Sequence, residues 1–120
     1  MRRVLTAVFA AAAVIFGLGA CSDDGQEIPM SDNAIILDVR TPGEFAAGHL
    51  DGAQLIDYNA GEVPAAIPTL DPDAEYLVYC RSGNRASQAI ALMEAAGFTQ
   101  VTNLGSLENA AEATGIEVVR

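Results

Sequence analysis

Two short apolar runs constrain the fold of this chain most strongly, because each leads directly into a polar loop and then a helix. Ala34–Leu37 and Tyr76–Tyr79 are almost entirely apolar or aromatic. Runs of this length are typical of parallel strands that are buried on both faces. The second run continues into Cys80 and a predicted helix over 85–96 that ends before a glycine. Strands that alternate with helices predict an α/β fold, with a mainly parallel central sheet between two layers of helices.

The first helix has a complete start signal. Thr41 is placed as N-cap, Pro42 takes the first helical position and Glu44 can close a capping box, so the sequence predicts a brief helix that ends near Gly48. The remaining predicted elements are a strand at Ala53–Ile56, a proline-interrupted helix at Glu62–Leu70, a strand at Val101–Leu104, a helix at Leu107–Ala113 and a last strand at Ile116–Val119.

The first twenty residues differ from the rest. Arg2 and Arg3 precede an apolar stretch over 4–20, which is the pattern of an export signal and is short for a spanning helix of roughly 20 residues. Leu18–Cys21 resembles the lipobox of bacterial lipoproteins, which implies cleavage before Cys21 and a lipid such as palmitate on its sulfur. We therefore expect a signal peptide at 1–20, a polar tether at 21–33 and one domain at 34–120. Secretion without lipid or an uncleaved anchor are the alternatives, and all three place the domain outside the cytoplasm.

The charge balance narrows the range of partners. The chain has 16 acidic residues, six arginines and no lysine, for a net charge of −10. Removal of Arg2 and Arg3 with the signal leaves 16 acidic residues against four arginines, or −12. Such a surface repels nucleic acid and anionic lipid head groups, so the expected membrane contact is through the lipid on Cys21 alone.

The two cysteines limit the chemistry further. If Cys21 is lipidated, Cys80 is the only remaining thiol and the chain can form no internal disulfide. A structural metal site normally needs four ligands, and one thiol with the single His49 does not supply them. We expect neither a metal nor a cofactor.

Cys80 stands at the predicted carboxyl end of a strand, where ligands of open α/β sheets bind. A loop that leaves a strand and opens a helix points backbone N–H groups inward and, with the helix dipole, attracts anions. Arg81 and Arg85 lie within five residues of the cysteine, and Arg40 ends another predicted central strand. The sequence therefore predicts an anion site whose field favours the nucleophilic thiolate of Cys80. A buried, inert cysteine is the structural alternative.

Two segments resemble the rhodanese family. Leu37–Ala53, with the sequence LDVRTPGEFAAGHLDGA, is similar to the family's N-terminal signature, and Val78–Ala86, with VYCRSGNRA, is similar to its active-site loop. The likeness extends over nearly all of Ile35–Val119. It implies the rhodanese-like fold and a sulfurtransferase reaction, in which a cysteine takes sulfur from a small anionic donor such as thiosulfate and passes it to a thiol or cyanide-like acceptor.

The resemblance also implies a role for each matching residue. Cys80 would hold the transferred sulfur as a persulfide, the backbone of Arg81, Ser82, Gly83, Asn84 and Arg85 would cradle it, and the two arginines of that loop would attract the donor. Asp38 and Arg40 would brace the loop from the neighbouring strand end. His49, in the Gly48-His49 turn, is expected to be structural rather than a general base.

The chain departs from the family pattern near its last helix. The family usually has a tryptophan after a Gly-Gly pair, whereas this chain has Leu104-Gly105-Ser106-Leu107 and no tryptophan. A persulfide carrier that does not turn over a small donor is the non-enzymatic alternative. A cysteine phosphatase of related fold is the enzymatic one, but it needs five residues between cysteine and arginine, and only four separate Cys80 from Arg85.

Overall fold

The computed structural model describes residues 31–120. The predicted signal peptide, Cys21 and all but the last three residues of the predicted tether lie outside the described residues.

A four-stranded sheet forms the centre of the domain. Its strands are β1 (Ile35–Asp38), β3 (Gln54–Leu55), β4 (Tyr76–Cys80) and β5 (Val101–Ser106), in the spatial order β3-β1-β4-β5. All three neighbouring pairs are parallel. Because parallel neighbours bring their carboxyl ends to one edge, Asp38 and Cys80 leave the sheet on the same side.

Helices cover both faces of this sheet. They are α1 (Pro42–Ala47), α2 (Glu62–Ala66) with a 3₁₀ turn at Ile67–Thr69, α3 (Asn84–Ala95) and α4 (Leu107–Thr114). The proline-interrupted segment is therefore short and irregular, as predicted. At α1 the Thr41 side chain accepts the Glu44 N–H and the Glu44 carboxylate accepts the Thr41 N–H, which confirms the capping box.

The core is divided between the two faces of the sheet. One cluster joins the inward side chains of α2 and α3 to Leu37, Val78 and Cys80, and the other joins α4 to Leu77 and Tyr79. Consecutive residues of β4 thus point to opposite layers, as the period of two in a strand requires. The predicted α/β class, with a mainly parallel sheet between helical layers, is confirmed.

A second, two-stranded sheet was missed by the sequence reasoning. β2 (His49–Leu50) pairs antiparallel with β6 (Val118–Val119), so Gly48-His49 leads into a strand rather than forming only a turn. β6 is also shorter than the predicted strand at Ile116–Val119. Two-residue strands carry almost no periodic signal, and the partners lie far apart in the chain.

No helix within residues 31–120 is long and apolar enough to cross a membrane.

Candidate active site

Cys80 is the last residue of β4, a strand with a neighbour on each side. Its side chain is completely buried and belongs to the same core cluster as Val78, Ala86 and Met93. The chain then forms a three-residue loop and enters α3 at Asn84. The predicted order of strand, cysteine loop and helix is therefore observed.

The loop aims one backbone amide at the sulfur. The Gly83 N–H donates to Cys80 Sγ over 2.9 Å. Gly83 has φ +94°, in the left-handed region that favours glycine, and it serves as the N-cap of α3 without a side-chain capping bond. The first N–H groups of an α-helix have no acceptor within the helix, and no side chain caps them here. The end of α3 that carries partial positive charge therefore faces the cysteine loop.

Arg85 was predicted to attract the donor, and in the structure its guanidinium binds the carboxylate of Glu44 on α1. Its Nη1 and Nη2 atoms donate to Glu44 Oε1 and Oε2 over 2.9 and 3.1 Å. These bonds to Arg85 lower the pKa of Glu44 to about 2, against partial desolvation. Hydrogen bonding to Glu44 likewise raises the pKa of Arg85 against partial desolvation, and the charge of Glu44 adds to this effect. Arg85 therefore directs both terminal guanidinium nitrogens to Glu44, whose negative charge offsets its own.

Asp38 and Arg40 form a buried pair at the end of β1. Arg40 Nη2 donates to Asp38 Oδ2 over 2.7 Å and to the Gly48 carbonyl over 2.6 Å. Burial acts to lower the pKa of Arg40, yet the bond and the charge of Asp38 raise it overall. The guanidinium also lies 5.4 Å from the ring centre of Tyr79, which immediately precedes the cysteine. The pair thus stabilises the Gly48 connection between α1 and β2. Its contact with the cysteine loop is indirect, through the ring of Tyr79.

Tyr79 extends the same buried network. Its hydroxyl accepts the Leu50 N–H over 3.0 Å, which joins β4 to β2. Burial raises the pKa of Tyr79 well above its ordinary value; the bond from Leu50 opposes that rise, and Asp38 adds to it. The phenol is therefore a neutral structural group at physiological pH.

Arg81 and Ser82 are exposed at the tip of the loop. Arg81 makes no ion pair within residues 31–120, and it lines an open cleft of about 310 Å³ together with Arg40, Glu44, Ala47, Leu107 and Glu108. Leu107 is the apolar residue that follows Gly105-Ser106, where the family pattern leads to a tryptophan. Of the two arginines that line this cleft, Arg81 is the one without an ion pair within residues 31–120, so its charge is available to an anionic ligand.

His49 lies in β2 and is held by its neighbours. Its Nδ1 is 2.8 Å from the Phe45 carbonyl oxygen, and its ring stacks on Phe45 with centres 3.7 Å apart. A carbonyl only accepts, so Nδ1 carries the proton of this bond. These contacts are those of a structural residue.

A residue that the sequence reasoning missed also touches the loop. Asn103 on β5 donates from Nδ2 to the Gly83 carbonyl over 3.1 Å. A single exposed asparagine in a short strand gives no signal of such a contact. Within residues 31–120, no group of three or more His, Cys, Asp or Glu side chains is arranged to hold a metal ion.

Comparison with known proteins agrees with this geometry. Residues 23–113 match the model of the rhodanese-like domain family. The chain is 37% identical over 75 residues to a thiosulfate sulfurtransferase GlpE of Pseudomonas putida, covering 62% of this chain and 66% of the relative. It is 30% identical over 79 residues to a sulfurtransferase of Allochromatium vinosum, covering 66% of this chain and 72% of the relative.

A solved structure shows the same fold. The rhodanese with anions from E. coli superposes with a TM-score of 0.63 at 29% identity, over 72% of this chain and 98% of that one. The chain belongs to the rhodanese-like domain family, whose sulfurtransferase members are among its relatives. It spans slightly less than two thirds of the Pseudomonas putida relative.

Proposed function

We propose that this protein is a rhodanese-type sulfurtransferase that carries sulfane sulfur on Cys80. The observation that carries the proposal is the 2.9 Å bond from the Gly83 N–H to Cys80 Sγ, at the carboxyl end of a central parallel strand. A donor that points at the sulfur of the cysteine, with the N-terminus of α3 behind it, stabilises negative charge at that position. Both the thiolate and its persulfide bear such a charge.

In the proposed first step, the Cys80 thiolate attacks the outer sulfur of an anionic donor such as thiosulfate. A bond forms between Sγ and that sulfur, and the sulfur–sulfur bond of thiosulfate breaks, so that sulfite leaves with the electron pair. In the second step, a thiol or cyanide-like acceptor attacks the outer sulfur and the electron pair returns to Cys80. No metal or external oxidant is needed for either step.

The site favours this reaction over phosphatase chemistry. A phosphatase arginine would occupy position 86, which is a fully buried alanine in the core beside Cys80. Arg85 is one residue earlier and is bonded to Glu44. The chain thus places no arginine where a phosphoryl group would require one.

The proposal is tested by mass analysis of the full-length protein after incubation with thiosulfate and alkylation. Trypsin cleaves after Arg40 and Arg81, so Cys80 is recovered in the fragment 41–81, separate from Cys21. We expect that fragment to gain one sulfur atom, reversibly with dithiothreitol. Cys80→Ser should abolish the gain and Cys21→Ser should preserve it. Failure of wild-type protein to gain sulfur from thiosulfate, other sulfane donors or polysulfide would falsify the proposal.

Turnover distinguishes an enzyme from a carrier. With excess thiosulfate and cyanide, a sulfurtransferase releases many molecules of thiocyanate per protein. A carrier without turnover releases one at most from a preloaded Cys80, and that result would reassign the protein to the carrier class.

We also propose that the domain acts outside the cytoplasm, attached by a lipid on Cys21. The support is the signal-like segment and the Leu18–Cys21 pattern. Labelled palmitate should enter the wild-type protein in cells and not Cys21→Ser. Label that persists in the variant contradicts the lipid assignment.

A further inference from the structure

Asn103 bridges the cysteine loop and the neighbouring strand. Its Nδ2 donates to the Gly83 carbonyl over 3.1 Å, and its Oδ1 accepts the Gly105 N–H over 2.8 Å. The two bonds define the orientation of the amide. If it were reversed, Oδ1 would face the Gly83 carbonyl oxygen and the NH₂ group would face the Gly105 N–H, and neither hydrogen bond could form. The side chain is therefore an oriented link between Gly83 and Gly105.

A β-bulge places this link. Asn103 lies opposite Val78, but the next pair in the ladder is Tyr79 with Gly105, so Leu104 is an extra residue in β5. Leu104 is buried in the core cluster beneath α4, whereas Asn103 is exposed. Bulges commonly redirect a side chain beside an active site. Here the bulge leaves Asn103 on the side of β5 where it reaches Gly83.

The loop backbone packs closely on the same bulge. A Cβ at Gly83 would lie 3.3 Å from the Gly105 Cα atom, which is tighter than ordinary contact. The Gly83 carbonyl already accepts the Ser87 N–H over 2.9 Å, the first hydrogen bond of α3. Asn103 adds a second bond to this carbonyl oxygen. The Gly83–Asn84 peptide is thereby held both by the helix and by the strand.

The Gly83–Asn84 peptide is joined through Gly83 to the amide that contacts the sulfur of Cys80. The peptide bonds of residues 31–120 are trans, so the Asn84 N–H points opposite to the Gly83 carbonyl and away from Asn103. The preceding peptide supplies the Gly83 N–H that contacts Cys80 Sγ. Both amides depend on the conformation of Gly83, where glycine permits several backbone conformations.

We propose that Asn103 is a positioning residue of the active site, which acts through Gly83 to hold the Gly83 N–H towards the sulfur of Cys80. The inference rests on the proposed function where persulfide formation is concerned. Its consequence for the access of reagents to Cys80 does not depend on that function.

The test compares Asn103→Asp and Asn103→Ala with Thr102→Ala in the full-length protein. Asn103→Ala removes both bonds without adding charge, Asn103→Asp keeps the acceptor for the Gly105 N–H but removes the donor to Gly83 and adds a negative charge, and Thr102 is an exposed neighbour on the same strand. Loss of one such hydrogen bond corresponds to about a fivefold effect. We expect the thiosulfate concentration for half-maximal loading of Cys80 to rise by about fivefold in both Asn103 variants, with the maximal rate changed less.

Alkylation by iodoacetamide, a neutral reagent, supplies a second measurement that needs no sulfur transfer. A loosened loop should expose the buried thiol, so alkylation of Cys80 should become faster in the Asn103 variants while sulfur loading at low thiosulfate becomes slower. General unfolding would instead lower the midpoint of thermal unfolding and the maximal loading rate together. Asn103→Asp covers the case in which Asn103→Ala does not fold.

The outcomes separate the two proposals. If the wild type loads sulfur and the Asn103 variants match Thr102→Ala in both assays, the role of Asn103 is wrong and the sulfurtransferase proposal stands. If neither the wild type nor any variant loads sulfur, but Cys80 is alkylated faster in the Asn103 variants than in Thr102→Ala, the loop-positioning role stands and the proposed function is wrong.

Discussion

Arg85 on α3 and Glu44 on α1 meet through two parallel N–H···O bonds of 2.9 and 3.1 Å. They lie 41 residues apart in the chain. Glu44 also closes the capping box of α1. One carboxylate therefore completes the start of α1 and holds the arginine that follows the cysteine loop, so α1 and this loop are directly linked.

Glu44→Gln should make the free energy of unfolding depend less on pH. The pKa of Glu44 is lowered to about 2 from the ordinary value of 4.5, so its stabilisation is present above pH 4.5 and is lost as pH falls towards 2. We expect the variant to be less stable by about 1 kcal/mol at neutral pH, with the difference shrinking as pH falls below 4.5 and disappearing only as pH falls through about 2. Chemical denaturation across this range measures the difference. Glu94→Gln, at an exposed position of α3, is the control, and a gap that does not close in acid contradicts the assignment.

Arg81→Gln should slow the loading of Cys80 by thiosulfate, since Arg81 is exposed in the cleft and is not paired within the described part of the chain. We expect a decrease of about twofold to fivefold at low salt that disappears near 1 M salt, where charges are screened beyond about 3 Å. Arg81→Lys should retain most of the wild-type rate. The same loss at all salt concentrations would show that the residue acts through shape and not charge.

Gly83→Ala should impair the loop directly. Its φ of +94° is unfavourable for alanine, and the added Cβ would lie 3.3 Å from the Gly105 backbone. We expect a loss of about 1–2 kcal/mol in stability and a decrease of about tenfold or more in persulfide formation. Gly43→Ala is the matched control: it has open space around it in the first turn of α1. Equal behaviour of the two variants would mean that the conformation of Gly83 is unimportant.

Asp38→Asn should destabilise the domain strongly. The substitution leaves the buried Arg40 guanidinium without its counter-charge, which costs about 3 kcal/mol in comparable sites. Asp51→Asn, at an exposed position, should stay within about 0.5 kcal/mol of the wild type. Urea denaturation measures both. A small effect at Asp38 would show that water or a rearranged Arg40 compensates for the lost charge.

Local signals accounted for much of the fold. The capping box at Thr41 and Glu44 involves residues three positions apart, and the continuous apolar run that ends in Cys80 is a strong strand signal on its own. The order of strand, loop and helix around the cysteine follows from these features. Such interactions are encoded in neighbouring residues, so a single sequence is enough to predict them.

The partners of the charged residues could not be predicted in the same way. Asp38 and Arg40 were expected to brace the loop, yet the hydrogen bonds of Arg40 run to Asp38 and to Gly48. Arg85 was expected to serve the donor, and its bond to Glu44 appears only once α1 packs beside α3. Long-range pairing of this kind depends on tertiary packing, as does the contact of Asn103 with Gly83.

The small ladder of β2 and β6 has a consequence for the order of folding. His49 and Leu50 pair with Val119 and Val118, and the corner they form includes the Gly48 carbonyl that Arg40 binds. During synthesis, β6 emerges long after β1, β2 and β4. The Gly48 corner can therefore close only when nearly all of the domain is available, so a nascent chain that already contains the complete cysteine loop does not yet have the finished candidate site.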